Sequence, residues 1–294
     1  MTKSIKSRAL KTAVGLLLAG TVTANAQDVV IWGGFPELAG YYERVAESLS
    51  GKYPDLNVIV EPIGLRDHEK RVALGLSSGL DEATVLELIG STANRYIVND
   101  LIQPAPEGVS GFVNDSSNFE TFFQETATVN GSVYGVPVFR GQGALFYNTD
   151  MLAAAGLEGP PKTMDEYDEY AAKLTQRDAD GNPTVSGWSL RLSGGGGGIA
   201  EKFWINLHQY GGTLLEQEGD NYRAGYANEM GLAALKQYVN AVSGLKTVTV
   251  EMPADSAAFQ REQTAMFIRE SWVIGDTAKK APDLNYKTAV LPRG

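Results

Sequence analysis

The stretch YGVPVFRGQGALFYNTD, residues 134–150, constrains the fold of this chain more than any other. Two apolar runs, VPVF and ALFY, carry the Val, Phe and Tyr that suit β-strands, and between them stands a bend of Arg140, Gly141, Gln142 and Gly143. Two readings fit this pattern. The bend is either a crossing between two lobes, with Arg140 and Gln142 facing whatever lies between them, or the turn of a hairpin with a solvated arginine. The C-terminal neighbour of the bend favours the crossing, because residues 147–174 predict a helix, a Gly-Pro-Pro break and a second helix. Thr163 and Glu166 form a capping box at the start of that second helix, each side chain able to satisfy an otherwise orphan backbone N–H. Met164, Tyr167, Ala171 and Leu174 then fall on one helical face.

The chain opens MTKSIKSRALK, four cations ahead of the apolar run TAVGLLLAGTV and the small-residue ending Ala24-Asn25-Ala26, the pattern of a secretory signal peptide. The mature protein is expected to start at Gln27. The apolar run is about half the ~20 residues of a membrane span, so export with release is the expectation. The sequence holds no cysteine, which excludes disulfides and a lipid-modified Cys and points to a free protein of a Gram-negative periplasm. Without the leader's four cations, 21 of the 25 basic residues face 35 acidic ones, a formal charge of −14. Nucleic acid and anionic membrane are thereby set aside as main partners. The length of 294 residues, 43% of them hydrophobic, allows one large or two ordinary domains.

Residues 28–34, DVVIWGG, read as a strand running into a helix with Leu38, Tyr41, Val45 and Leu49 on one side, and LNVIVEP supplies a second strand. This βαβ opening predicts a largely parallel sheet, whose ligands sit beyond the C-terminal strand ends, where Trp32 to Glu37 would lie. Trp32 reads either as a stacking plate for a sugar ring or as a core tryptophan. Glu37 reads as a ligand contact or as an acidic residue favoured by the first turn of a helix. A helix from about Asp67 to Leu76 and a strand over 84–90 come next, then Ser91, either a polar contact or a helix cap. Near 228–242 a helix is expected with Leu232, Leu235, Val239 and Val242 as its apolar positions, part of the scaffold.

Three stretches raise other chemistry. Asp178-Ala-Asp-Gly lacks the oxygen ligands that a calcium loop needs at its later positions, and it reads as a turn. SGGGGG, residues 193–198, stands between a strand and the helix expected over 199–210, a setting for phosphate, but without the Gly-Lys-Ser/Thr ending of a nucleotide loop; it reads as a flexible loop. Gly75-Leu-Ser-Ser-Gly79 fits a nucleophile elbow in spelling only, since it ends a helix instead of following a strand. With no Cys and only His68 and His208, neither a Cys–His pair nor a His-rich metal site can form, and no cofactor or metal is expected.

The run from Tyr134 to Leu174 resembles the hinge and following helices of bacterial extracellular solute-binding proteins of family 1, the sugar-binding branch that feeds ATP-driven (ABC) importers. AAFQREQTAMFIRESWVIGDTAKKAPDLNYKTAVLPRG, residues 257–294, resembles that family's helix, its strand AMFI, its Ser-Trp site segment and its return crossing at Leu-Pro. The resemblance covers nearly all of residues 28–294. It implies an α/β, two-lobed type II periplasmic binding protein, with an N-terminal lobe over 27–139, a hinge crossing near 140–144, a C-terminal lobe over 140–289 and a return crossing at 290–294. The implied function is capture of a mono- or oligosaccharide by a monomer, without chemistry, and its delivery by hinge closure to importer membrane subunits. The implied ligand-binding residues are Trp32, Glu37 and Ser91 in the first lobe, Arg140 and Gln142 at the hinge, and Glu201 and Trp272 in the second; Glu270 and Ser271 adjoin Trp272.

Two departures stand out. Gly-Leu-Asp-Glu-Ala-Thr, residues 79–84, replaces the family's Gly-x-x-Pro-Asp before the third strand. Family members also continue past the return crossing with helices that complete both lobes. The expectation is therefore exposed apolar surface and weak or no ligand binding by the 294-residue chain, and a cooperative melt raised by a sugar would count against it. The alternative function is a secreted enzyme acting on carbohydrates or sugar phosphates through the Gly194–Gly198 loop.

Overall fold

The computed structural model describes residues 27–80, 84–191, 195–249, 251–253 and 255–294. Residues 1–26, which carry the expected signal peptide, residues 81–83, residues 192–194 of the glycine-rich run, and residues 250 and 254 lie outside the described residues. The fold is α/β and two-lobed, and the chain divides into two compact units, Met1–Pro137 and Val138–Gly294.

In the first unit β1 (Gln27–Gly33), α1 (Ala39–Ser50) and β2 (Leu56–Pro62) form the expected βαβ opening. The strands run parallel in register from Gln27↔Leu56 to Gly33↔Pro62. Following α2 (Leu65–Ser78), β3 (Thr84–Leu86) completes a parallel sheet of order β2-β1-β3. β3 is shorter than the strand expected over 84–90. Glu87 still donates its N–H to the Trp32 carbonyl at 3.0 Å, but its side chain turns back to the β1 end and the chain leaves for α3 (Gly90–Ile97). α4 (Glu107–Asn114), α5 (Thr121–Thr126) and the short pair β4 (Thr128–Val129) and β5 (Ser132–Val133) finish the unit.

Residues 134–142 correct one expectation. VPVF is not a strand: Pro137 has no N–H to give a ladder, and Val136, Val138 and Phe139 are exposed. ALFY is one, within β6 (Gly143–Asn148).

The second unit is built on a five-stranded sheet of order β12-β6-β11-β8-β7, with β7 (Gln176–Arg177), β8 (Pro183–Ser189), β11 (Thr264–Glu270) and β12 (Tyr286–Ala289). β11 runs antiparallel to β6 and parallel to β8. The two central strands are buried on both faces, so their side chains divide by the strand's period of two. Leu145, Tyr147 and Met266 enter one core with Met164, Tyr167, Ala171 and Leu174 of α7 (Met164–Leu174), while Phe146 and Phe267 enter another with Phe259 and Val273. The α7 face is the one the sequence predicts. α6 (Thr149–Ala154) precedes it. At the α7 cap Thr163 Oγ1 accepts from the Glu166 N–H at 3.1 Å, whereas Glu166 reaches one residue further back, to the Lys162 N–H at 2.6 Å.

The remaining elements are α8 (Gly195–Gln209), a hairpin of β9 (Leu215–Glu218) and β10 (Asn221–Ala224), α9 (Glu229–Val239), α10 (Asp255–Gln260) and α11 (Trp272–Lys280). α9 presents the opposite face from the one expected. Gly231, Ala234 and Gln237 are buried, while Leu232, Leu235 and Val239 are 51%, 51% and 56% exposed. The buried stripe is the one held by neighbours: Asn206 on α8 donates to the Ala234 carbonyl at 3.0 Å, Gln237 donates to Asp168 at 3.1 Å, and Gly231 packs on the Tyr226 carbonyl with no room for a Cβ. Within residues 290–294, expected as a return crossing, the last three are held on this unit, with the Gln209 amide donating to the Pro292 carbonyl at 2.9 Å and the Met164 N–H to the Arg293 carbonyl at 3.0 Å.

These placements separate two substitutions of similar chemistry. Phe267→Ala is expected to cost about 3–5 kcal/mol in a urea titration, because the ring is fully buried among aromatics. Leu235→Ala is expected to cost under ~1 kcal/mol, as an exposed side chain should.

Candidate functional site

In each unit the parallel strands end at one edge, and the polar side chains with the richest contacts collect there. In the first unit Glu87, just past β3, accepts from the Gly34 N–H at 2.8 Å and the Phe35 N–H at 3.0 Å through Oε2, and from the Tyr42 hydroxyl at 2.7 Å through Oε1. Its own carbonyl meets His68 Nε2 at 2.6 Å, and His68 is fully buried. A Cβ on Gly34 would stand 2.6 Å from that imidazole, so the turn after β1 admits only glycine. Glu87 and His68 thus pin the segment that carries Trp32 to Glu37. Burial, reinforced by Glu87, pushes the Tyr42 hydroxyl well above the ordinary tyrosine range, which keeps it a donor.

Trp32 is half-buried in this setting. The Arg71 guanidinium lies 4.0 Å from its ring centroid and pairs with Glu61 at 3.0 Å. The indole edge runs under α2, where a Cβ on Gly75 would come within 3.0 Å of it. Glu37 is exposed in a single 3-10 turn, Pro36–Leu38. Ser91 is exposed as the second residue of α3 and makes no cap bond; Ile89 holds the cap position.

The second unit gathers more. β8 and β11 are parallel; Arg269 and Glu270 are the last residues of β11, and Arg191 and Trp272 stand just past the ends of the two strands. α8 begins at the same edge. Residues 195–198, expected as loop, form its first turn, and Gly198 is packed so closely on Arg191 that a Cβ there would stand 2.7 Å from the guanidinium. From the next turn Lys202 reaches Glu270 Oε1 in a buried ion pair. Glu270 Oε2 accepts from the Trp272 indole N–H at 3.2 Å and lies 3.6 Å from Arg269 Nε, which is also 3.6 Å from Asp255. The Arg269 guanidinium lies 4.9 Å from the Trp272 ring centroid, and Arg191 pairs with Glu201 at 3.7 Å. The bend joins this group: the Gln142 carbonyl accepts from the Ser271 N–H at 3.1 Å, and Gly141 approaches the Glu270 side chain.

Of the expected site residues, Gln142, Glu201 and Trp272 are therefore brought together, and Arg140 lies exposed two residues before Gln142. Trp32 shares its edge with the exposed Glu37, and Ser91 sits apart at the start of α3. Sequence reasoning missed Glu87, His68, Arg191, Lys202, Asp255 and Arg269. For Arg191 and Arg269 a signal existed, since each follows or ends an apolar run where a parallel strand stops; for Asp255 there was none. Among the described residues no group of three or more His, Asp or Glu is placed to hold a metal ion, and no helix is long and apolar enough to cross a membrane.

Residues 45–294 match the family described as bacterial extracellular solute-binding protein. The chain belongs to that family. It is 22% identical over 285 residues to a binding protein of Brucella abortus, an alignment covering 95% of this chain and 66% of the relative. It is 25% identical over 300 residues to the lactose-binding protein of Rhizobium radiobacter, covering 97% of this chain and again 66% of the relative. The chain thus spans 66% of the length of these two relatives. Among solved structures, a Thermotoga lettingae solute-binding protein bound with alpha-D-tagatose superposes with a TM-score of 0.74 at 22% identity, over 92% of this chain and 69% of that one. UgpB from Mycobacterium tuberculosis in complex with glycerophosphocholine gives 0.75 at 18% identity, over 92% and 66%. These likenesses establish the fold.

Acid should act on this family member through Glu270. Burial alone would raise its carboxyl, but the Lys202 ammonium, their hydrogen bond and Arg269 together hold it below the ordinary glutamate range. A depressed folded value contributes stability above the unfolded value and loses it as pH falls through the folded one. The urea midpoint of the native chain should thus decline as pH drops below the usual carboxylate range. Glu270→Gln should be less stable at neutral pH and show a shallower decline over that acid interval; equal slopes for the two proteins would contradict the pairing.

Proposed function

We propose that this chain is an exported sugar-binding component of an ABC importer, which captures a mono- or oligosaccharide in the periplasm and hands it to the membrane subunits. The observation that carries this reading is Trp272. It sits half-buried just past a strand that ends beside a second, parallel one, where open α/β sheets place their ligands. Its indole N–H is fixed on Glu270, and polar groups able to meet hydroxyls surround it. An apolar plate with such neighbours suits the C–H face of a sugar ring. The lactose-binding relative and the tagatose-bound neighbour support the ligand class.

In this reading Trp272, Glu201 and Gln142 serve from the second unit, with Arg140 donating to hydroxyls in planar, bidentate fashion. Trp32 contributes with the part of its ring that Arg71 leaves uncovered, and Glu37 and Ser91 supply polar contacts. The crossing near residues 140–144 acts as the hinge, and ligand favours the closed state because only that state is gripped from both lobes. The chain performs no chemistry on its ligand.

The test is a melt of the full chain with millimolar glucose, galactose, tagatose, lactose and maltose, paired with tryptophan fluorescence. At least one sugar should raise the midpoint and change the emission, since a ligand of the native state alone must stabilise it, and such a shift would set aside the weak or absent binding expected from the sequence. Trp272→Ala should remove both responses, an affinity loss of tenfold or more. Prolonged incubation should leave the disaccharides intact; shorter products would establish the hydrolase alternative instead.

A further inference from the structure

The charged groups at the end of β8 and β11 form a closed set. Arg191, Lys202 and Arg269 stand against Glu201, Asp255 and Glu270: Lys202, Glu270, Arg269 and Asp255 follow one another in a chain of ion pairs, and Arg191 with Glu201 forms a separate pair beside it. The set is sorted by depth. The side chains of Lys202, Arg269 and Asp255 are 5%, 8% and 5% exposed, whereas those of Glu201, Glu270 and Arg191 are 44%, 20% and 15% exposed. Two of the three buried members are thus cations: Lys202 is committed to Glu270, whereas Arg269 lies 3.6 Å from two carboxylates with its Nε and Nη1 unpartnered by hydrogen bonds. The accessible side shows two carboxylates to one guanidinium.

This ordering has a physical cost structure. Buried charges are tolerated only when they are paired, and separating a pair leaves an uncompensated ion in a poorly solvated place. A ligand phosphate or carboxylate at this edge would meet Glu201 and Glu270 first. To reach Lys202 it would have to displace the carboxylate that holds it, and to reach the buried Arg269 it would have to pass the more exposed Glu270. Neutral hydroxyls meet no such barrier, because accessible carboxylate oxygens accept hydrogen bonds from them.

We propose that this edge selects an uncharged, hydroxyl-rich ring over its phosphorylated or acidic counterparts, and that Glu270 is the specificity-determining residue. The proposal rests on the sugar-binding reading and sharpens it. Glu270 performs two tasks at once. It neutralises Lys202 and Arg269, and it sets the plane of the Trp272 indole through the N–H bond. Arg269, stacked on the same ring, ties plate and charges into one rigid body.

The experiment compares glucose and galactose with glucose 6-phosphate, glucuronate and galacturonate on the full chain, by melt shift and fluorescence titration. The native protein is expected to favour the neutral sugar at least tenfold over its anionic partners. Glu270→Gln keeps the size and an acceptor oxygen but leaves Lys202 and Arg269 short of a counter-charge. That variant should bind the neutral sugar less well and the anionic ones better, narrowing the preference about tenfold. Glu201→Gln, at the exposed rim, should narrow it to a smaller degree and covers the case in which Glu270→Gln fails to show a cooperative melt. A native preference for the phosphate or uronate overturns this inference and leaves the sugar-binding reading standing, as does an unchanged preference in both variants. No binding of any neutral or anionic sugar by the native chain overturns both.

Discussion

The second unit depends on two strands that have no solvated face. β6 and β11 lie side by side at the centre of the sheet, and each sends alternate side chains into separate cores. The four aromatic rings of Phe146, Phe259, Phe267 and Tyr286 close one side in edge-on, tilted and stacked contacts, while α7 closes the other with Met164, Tyr167, Ala171 and Leu174. A register slip of one residue would exchange these sets and bring each core the wrong shapes. Because neither strand can move, the residues just past β11 are delivered to a fixed place, and Trp272 is the second of them.

That fixed place has a counterpart in the first unit, solved with different chemistry. There a single carboxylate, Glu87, gathers two backbone N–H groups and a tyrosine hydroxyl, and a buried imidazole seals the glycine turn behind it. In the second unit the carboxylates face cations instead of amides. Both arrangements give the carboxylate at the end of a strand its partners, Glu87 in the first unit and Glu270 in the second. They leave different surfaces: a rigid turn in one case, a charge-balanced rim beside an aromatic plate in the other.

Much of this architecture was legible. The strand–helix–strand opening, the ALFY strand, the Thr163 cap and the buried face of α7 all follow from periodicity and from residue types that act within a few positions of themselves. The misreadings share a cause. α9 carries one stripe of large apolar residues and another of Gly, Ala and Gln, and periodicity favours the large one; the other is the stripe held by Asn206, Asp168 and the Tyr226 carbonyl. VPVF has strand-like residues but contains a proline, and the glycine run has loop-like residues but follows a strand whose end it meets as a helix. Trp272, Glu201 and Gln142 are named from the sequence as site candidates, whereas the partners the structure gathers around them, Arg191, Lys202 and Arg269, are not.

The amino-acid sequence by itself determined the order of elements, the membership of the central strands and the position of the aromatic just past β11, because those properties are carried by neighbours along the chain. Only the tertiary structure decided which charges meet. Lys202 and Glu270 are 68 residues apart, as are Arg177 and the Leu245 carbonyl it binds, and nothing local marks either pair. An ion pair or a close helix contact is set by where packing brings two surfaces, and its energy depends on a burial that exists only once they have met.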